Sequence, residues 1–244
     1  MLAPSDYQLL LVEAPDVDPS ELKQAVRWRV KDLIDFHIDD AILDVFDIPG
    51  QLVRGRGRMM YVVAARSSLL SQRIAMLEDL SLQLEVIDIA ELALRNVAAL
   101  TGEDVSGVGL LYLAPDYGLI TVTRQSTLYL ARTLDTGHEA LAAAGGSGGT
   151  PGSGGALESV VLEIQRSLDY YDSHFSQAAV GTLYVVAPSG GEAIVSGLDT
   201  ALGMNVRQLD LRDVMECPDD LDLELQARCM LAVGAALRHE QATL

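Results

Sequence analysis

With 244 residues, 49% of them hydrophobic, the chain is long enough for two modest domains, each with its own core, and its composition is not that of a disordered protein. Thirty-five acidic against 17 basic residues give a formal charge of −18, which repels nucleic-acid phosphates and anionic lipid unless a basic patch overrides it. Two cysteines, Cys217 and Cys229, stand in no Cys-x-x-Cys or Cys-His spacing, which excludes a disulfide scaffold and points to reduced thiols.

In chain order, Tyr7 to Ala14 reads as a first strand. Asp18 is placed to cap a helix, Pro19 suits its first position, and Glu21 sits where a capping box wants a carboxylate. Leu22, Ala25, Val26, Val30, Leu33 and Ile34 recur at helical spacing, so the helix is expected to run from Pro19 to about Ile34 with these residues as its buried stripe. Trp28 falls off the centre of that stripe, between Arg27 and Arg29; it either covers the edge of the core or anchors a partner. Ala41 to Ile48 alternates as a strand and ends at Pro49-Gly50.

Arg54, Arg56 and Arg58 form the only dense cationic group that stands out, a glycine-spaced run read as a solvated hairpin loop rather than a nucleic-acid site. Arg58 to Ala65 is a buried strand, Ser67 or Ser68 caps a helix with Leu70, Ile74, Leu77 and Leu80 on one side, and Leu84 to Ile89 is expected as a further strand. Ala90 to Leu100 reads as a short helix. The polar segment Thr101 to Gly107 is the expected joint, dividing the chain into 1–104 and 105–244.

Past that joint, Gly109 to Ala114, Gly118 to Thr123 and Leu128 to Thr133 form a β-meander. Gly145 to Gly155 has no side chains with which to build a core and reads as a flexible tether. Leu157, Val161, Ile164, Leu168, Tyr171 and Phe175 then follow steps of four and three, the mark of a long helix with one apolar seam. The strand Leu183 to Ala187, a helix, the strand Asn205 to Leu209 and a last helix from about Asp222 to Arg238 complete an α/β pattern.

No catalytic constellation emerges. His37, His138, His174 and His239 form no helical metal pair and none adjoins a cysteine, so no metal site is expected. There is no Gly-x-Ser-x-Gly elbow, phosphate loop with lysine, or Gly-x-Gly-x-x-Gly after a strand. Adjacent acids such as Asp39-Asp40 and Asp219-Asp220 read as caps of helices or turns. No positively charged start leads into an apolar stretch and no hydrophobic run reaches the ~20 residues that span a bilayer, so the expected location is cytoplasmic, with the membrane reached only through partners.

The run Ala25 to Trp28, the turn Asp32 to Phe36 and the strand Ala41 to Ile48 resemble the PilM family of type IV pilus assembly proteins, and within it the MshI-type members of mannose-sensitive haemagglutinin (MSHA) pilus biogenesis. Met60 to Leu100, Leu162 to Phe175 and Leu221 to Arg238 continue the likeness over most of the chain. The resemblance implies an actin-like, ribonuclease-H-like fold of the FtsA/PilM type, with a small inserted αβ subdomain in 1–104 and without the N-terminal phosphate-binding hairpin. It also implies a non-catalytic cytoplasmic scaffold of the pilus assembly platform that grips the cytoplasmic tail of a PilN-like inner-membrane protein and touches the assembly ATPase. In the family the tail lies in a groove that would include the helix from Pro19; the implied contacts are Arg27, Trp28, Arg29 and Phe36.

Actin-like proteins hold ATP and magnesium, so the second implied reading is an active nucleotide-binding protein or ATPase, with Asp116, Ser189, Gly190 and Gly191 as the nearest candidates. The positions that should read Asp-x-Gly are Tyr112-Leu113-Ala114 here, which removes the usual magnesium-facing carboxylate and weighs against any cofactor. A third reading, the cytoplasmic GspL-like component of type II secretion, shares the Glu163 to Leu168 helix pattern.

Overall fold

The structure, a computed structural model, describes residues 1–51, 57–146, 155–175, 177–188, 190–218 and 220–239. Arg54, Arg56, Ser189, Asp219 and most of the Gly145 to Gly155 run therefore lie outside the described residues. The chain forms two compact units, Met1–Ala90 and a second that begins at Glu91.

In the first unit β1 (Tyr7–Glu13), β2 (Ala41–Asp47) and β3 (Met59–Arg66) form an antiparallel sheet in the order β1-β3-β2. The registers Leu10↔Val62 and Val45↔Val62 put Leu10, Val12, Leu43, Val45, Met60 and Val62 on one face by simple alternation. Helix α1 (Leu22–Val30) covers that face and buries Val26 and Val30 completely.

The helix is shorter than its sequence pattern suggests. Pro19–Glu21 is a 3-10 turn in which the Glu21 N–H donates to the Asp18 carbonyl at 2.9 Å, and no side chain caps α1. At the other end the N–H groups of Leu33 and Ile34 both donate to the Val30 carbonyl, which closes the helix in a tight turn. Ile34 still packs on the core, but Leu33 is turned outward and 54% exposed, so it is not part of the buried stripe.

Helix α2 (Ser67–Asp79) follows β3 directly. Its first turn is held from a distance: the Asp40 carboxylate accepts the Ser68 N–H and hydroxyl, each at 3.0 Å. Of the side chains expected on one side of α2, Leu70 is buried, Ile74 and Leu77 half-buried, and Leu80 exposed. The strand expected over Leu84 to Ile89 does not form: Leu82 to Ile89 runs without a turn or bend but pairs with no other strand among the described residues.

In the second unit, helix α3 (Ala90–Ala98) leads through a 3-10 turn at Gly102–Val105 to β4 (Val108–Leu113), β5 (Gly118–Arg124) and β6 (Thr127–Leu134). Gln125 and Ser126, both at positive φ, make the two-residue turn between β5 and β6. Asp104 steadies it: its carboxylate accepts the Ser126 N–H at 2.8 Å and its carbonyl the Gln125 N–H at 2.9 Å. The polar joint at 101–107 thus lies inside the second unit and pins its β5-β6 hairpin.

Helices α4 (His138–Gly146) and α5 (Ala156–His174) cross over to β7 (Thr182–Val186), followed by α6 (Glu192–Leu202), β8 (Asn205–Gln208) and α7 (Leu223–Ala236). The sheet order is β6-β5-β4-β7-β8, antiparallel through the meander and parallel from β4 to β7 to β8. Leu111, Ile120, Leu183 and Val185 of the sheet pack on Val160 and Ile164 of α5 and Leu198 of α6. The seam of α5 ends in aromatic contacts, Tyr129 standing edge-on to Tyr171 at 5.8 Å and to Phe175 at 5.2 Å.

Helices α3 and α7 approach backbone to backbone: a Cβ at Gly234 would lie 2.1 Å from the Ala93 carbonyl oxygen, and the Asn96 amide donates to the Gly234 carbonyl at 2.8 Å. Gly234→Ala is expected to lower stability by about 1–3 kcal/mol through this overpacking, seen as a lower urea midpoint, whereas alanine at the open position Gly102 leaves the midpoint nearly unchanged.

Candidate functional site

Two surfaces carry the residues singled out by sequence, and each lies within one unit. The first is the outer side of α1. Trp28 is 71% exposed there, on the side away from Val26 and Val30. The neighbouring arginines are engaged. The Arg27 guanidinium donates to the carbonyls of Ile38 and Ala41 and lies 3.6 Å from the Asp39 carboxylate, so it ties the 3-10 turn Ile38–Asp40 to the helix. Arg29 faces Glu13 of β1 at 3.8 Å, and Phe36 lies 4.9 Å beneath the Arg66 guanidinium. Of the four candidate contacts, Trp28 alone has most of its surface open; Arg27 holds the helix to its neighbour, and Phe36 is half-buried.

A feature missed in the sequence reading is the charge of α1. Lys23, Arg27, Arg29 and Lys31 fall within nine residues, with no acid among them, in a chain of net charge −18. The signal was in the sequence, but a helical period spreads these cations between two faces, whereas the Arg54 to Arg58 run sets three arginines within five residues. The exposed indole thus sits on a helix whose cations are mostly matched by acids of neighbouring elements, Lys23 by Asp44 at 3.5 Å, Arg27 by Asp39 at 3.6 Å and Arg29 by Glu13 at 3.8 Å.

The second surface is the end of the sheet where β4 and β7 finish. Their parallel register, Tyr112↔Val186, places the hairpin Leu113 to Gly118 and the turn after Ala187 at the same end of neighbouring strands. Asp116, Gly190 and Gly191 are thereby brought to one end of the sheet. Asp116 is exposed at the hairpin tip, Gly190 takes φ +89°, and Gly191 is buried, its N–H donating to the Pro188 carbonyl at 3.1 Å. A side chain at Gly191 would meet the Ala187 Cβ at 2.7 Å, so this glycine serves the tight turn into α6.

The hairpin is closely covered by its own chain. The N–H groups of His138 and Glu139, at the start of α4, donate to the carbonyls of Ala114 and Pro115 at 2.8 and 3.2 Å. Gly137 is pressed against the same turn, with its Cβ position 2.5 Å from the Asp116 nitrogen. The first amides of α4, which would suit an anion, are spent on hairpin carbonyls.

Burial first, then the nearby Tyr112, Asp116 and Glu91 groups, push the Tyr117 phenol up to about 12. Among the described residues no group of three or more His, Cys, Asp and Glu is arranged to hold a metal ion. The histidines go elsewhere: His37 accepts the Asp39 N–H, and His174 stacks on Tyr170.

No protein family and no curated protein matches the chain by sequence. Solved structures do. The chain is similar to a PilM-PilN type IV pilus biogenesis complex at 19% identity and a TM-score of 0.69, covering 96% of this chain and 77% of that one. It also aligns, at a TM-score of 0.47 and 14% identity, with the cytoplasmic domain of EpsL, an inner-membrane component of the type II secretion system of Vibrio cholerae, covering 97% of this chain and 73% of that one. A Bacteroides thetaiotaomicron protein with an actin-like ATPase fold aligns at 0.47 and 9% identity over 91% of this chain and 70% of that one. The chain has the actin-like α/β fold.

Because folding keeps the Tyr117 phenol protonated to higher pH than in the unfolded chain, this residue withdraws stability as pH rises from about 10 towards about 12. Tyr117→Phe is expected to flatten that loss, read as a smaller fall in the urea midpoint between pH 9 and pH 11 than in the parent chain.

Proposed function

We propose that the chain is a non-catalytic scaffold of a type IV pilus assembly platform, of the MSHA type, which holds the cytoplasmic tail of a PilN-like inner-membrane protein and also meets the assembly ATPase. The observation that carries this reading is the agreement in fold with the PilM-PilN complex over 96% of the chain. The Ala25 to Trp28 run and the strand that follows support the MSHA assignment. No helix among the described residues is long and apolar enough to cross a membrane, in keeping with attachment through a partner at the cytoplasmic face.

In this reading Trp28 is the anchor. An indole left 71% exposed on a helix suits a tail that brings an apolar side chain. Arg29 lies beside it, Arg27 keeps the helix in place, and Phe36 contributes through its edge. In this reading ATP and magnesium play no part at Asp116, Gly190 and Gly191, which is supported by the first amides of α4 being taken up by the Ala114 and Pro115 carbonyls.

Trp28→Ala is expected to weaken binding of a PilN-like tail peptide roughly tenfold to a hundredfold, since a hot spot is worth ~2 kcal/mol or more, with almost no change in melting temperature. A variant that melts far earlier yet binds normally when folded would remove the docking role. Titration calorimetry with magnesium-ATP addresses the nucleotide reading: heat and a thermal shift at millimolar nucleotide would replace the scaffold assignment, and neither is expected. Co-purification with pilus proteins is expected, and co-purification with secretion components instead would favour the GspL-like alternative.

A further inference from the structure

We propose that the groove between α5, the end of α6 and the segment before β7 receives a basic side chain, arginine or lysine, from a partner polypeptide. The groove lies wholly in the second unit, on residues other than those assigned to the tail.

One stripe of α5 forms a wall. Gln165, Leu168, Asp169 and Asp172 are spaced three and four apart, so they share a side of the helix. Ala179 and Val180 supply a second wall, and Leu202 and Met204, on either side of Gly203, the third. The turn at Gly203 is held in shape. Gly203 takes φ +64° and its N–H donates to the Asp199 carbonyl at 3.0 Å, which ends α6, while the Asp199 carboxylate accepts the Val206 N–H of β8 at 3.1 Å. Leu168, Leu202 and Met204 are half-buried and pack on the core beneath, so the groove has a fixed apolar floor.

The rim is acidic and unanswered. Asp169 and Asp172 are exposed and form no ion pair with any described residue. The nearest basic residue along α5, Arg166, is taken by Glu163 at 2.6 Å, and Arg132 faces the same Glu163 at 3.6 Å. The residues of this unit outside the described set, 147–154, 176, 189, 219 and 240, include no lysine or arginine.

Two carboxylates above an apolar cavity of about 240 Å³ match the two parts of a long basic side chain. Its methylenes lie on Leu168, Leu202 and Met204, and its cationic head reaches Asp169 and Asp172. An acidic side chain is repelled there, and an apolar one leaves both charges unanswered. A second copy of the chain brings a net charge of −18 against the same rim.

The test uses the full chain carrying ¹³C at its methionine methyls, with Met204→Leu to identify the Met204 signal. Two peptides are titrated: acetyl-Gly-Leu-Arg-Leu-Gly-amide and its twin with citrulline, neutral and of nearly the same shape, in place of arginine. The arginine peptide should move the Met204 signal, and the citrulline peptide at the same concentration should not. Asp169→Asn combined with Asp172→Asn should keep the melting temperature, since neither acid is paired, and weaken arginine-peptide binding about threefold to tenfold, as expected for two solvent-exposed ion pairs. Raising sodium chloride from about 50 to about 300 mM should weaken binding to the parent chain several-fold. No Met204 shift, an equal shift with the citrulline peptide, or unchanged binding by the double variant would overturn the proposal. So would an equal shift from guanidinium chloride at the peptide's concentration, because the groove would then take a free cation. A Met204 signal that moves with protein concentration while light scattering reports a doubled mass would overturn it too, since the occupant would then be a second copy. If the double variant unfolds, the citrulline and salt results on the parent chain decide alone.

Discussion

The parallel pairing of β4 with β7 is the constraint on which the second unit depends. Two antiparallel hairpins could be joined by short turns, but a parallel neighbour requires the chain to travel the length of the sheet and return on its face. Helices α4 and α5 make that journey, and α5 buries Val160, Ile164 and Tyr171 as it does so. The same pairing sets the site geometry. With Tyr112 beside Val186, the β4-β5 hairpin and the β7-α6 turn must emerge together, as ligand-binding loops do at the carboxyl ends of open α/β sheets.

At that end the hairpin carbonyls accept the first amides of α4, Gly137 closes on the Asp116 nitrogen, and burial, with Asp116 and Glu91 nearby, holds the Tyr117 phenol neutral. On α1, by contrast, Trp28 is left exposed while Lys23, Arg27 and Arg29 are paired with Asp44, Asp39 and Glu13, so it is the large aromatic surface rather than free charge that the helix offers.

Elements whose order is local were legible in the sequence. Alternation marked β1, β2 and β3, the meander was punctuated by Pro115 and by the polar Arg124 to Thr127 turn, and the step pattern of α5 located its seam. Features decided by distant neighbours were not legible. Helix α2 is held at its start by Asp40, twenty-eight residues away, and even the local turn that ends α1, with the Leu33 and Ile34 N–H groups on the Val30 carbonyl, left no mark in the apolar spacing. Among the site residues, the pattern could place Trp28 off the core stripe, but its exposure and the tie from Arg27 to the Ile38 and Ala41 carbonyls required the fold. The cations of α1 were written in the chain, yet their pairing depends on which acids the fold sets beside them.

Leu84 to Ile89 shows where periodicity reaches its limit. Alternating side chains state a preference for extended backbone and for a half-buried surface; they cannot supply the neighbour whose amides and carbonyls complete a ladder.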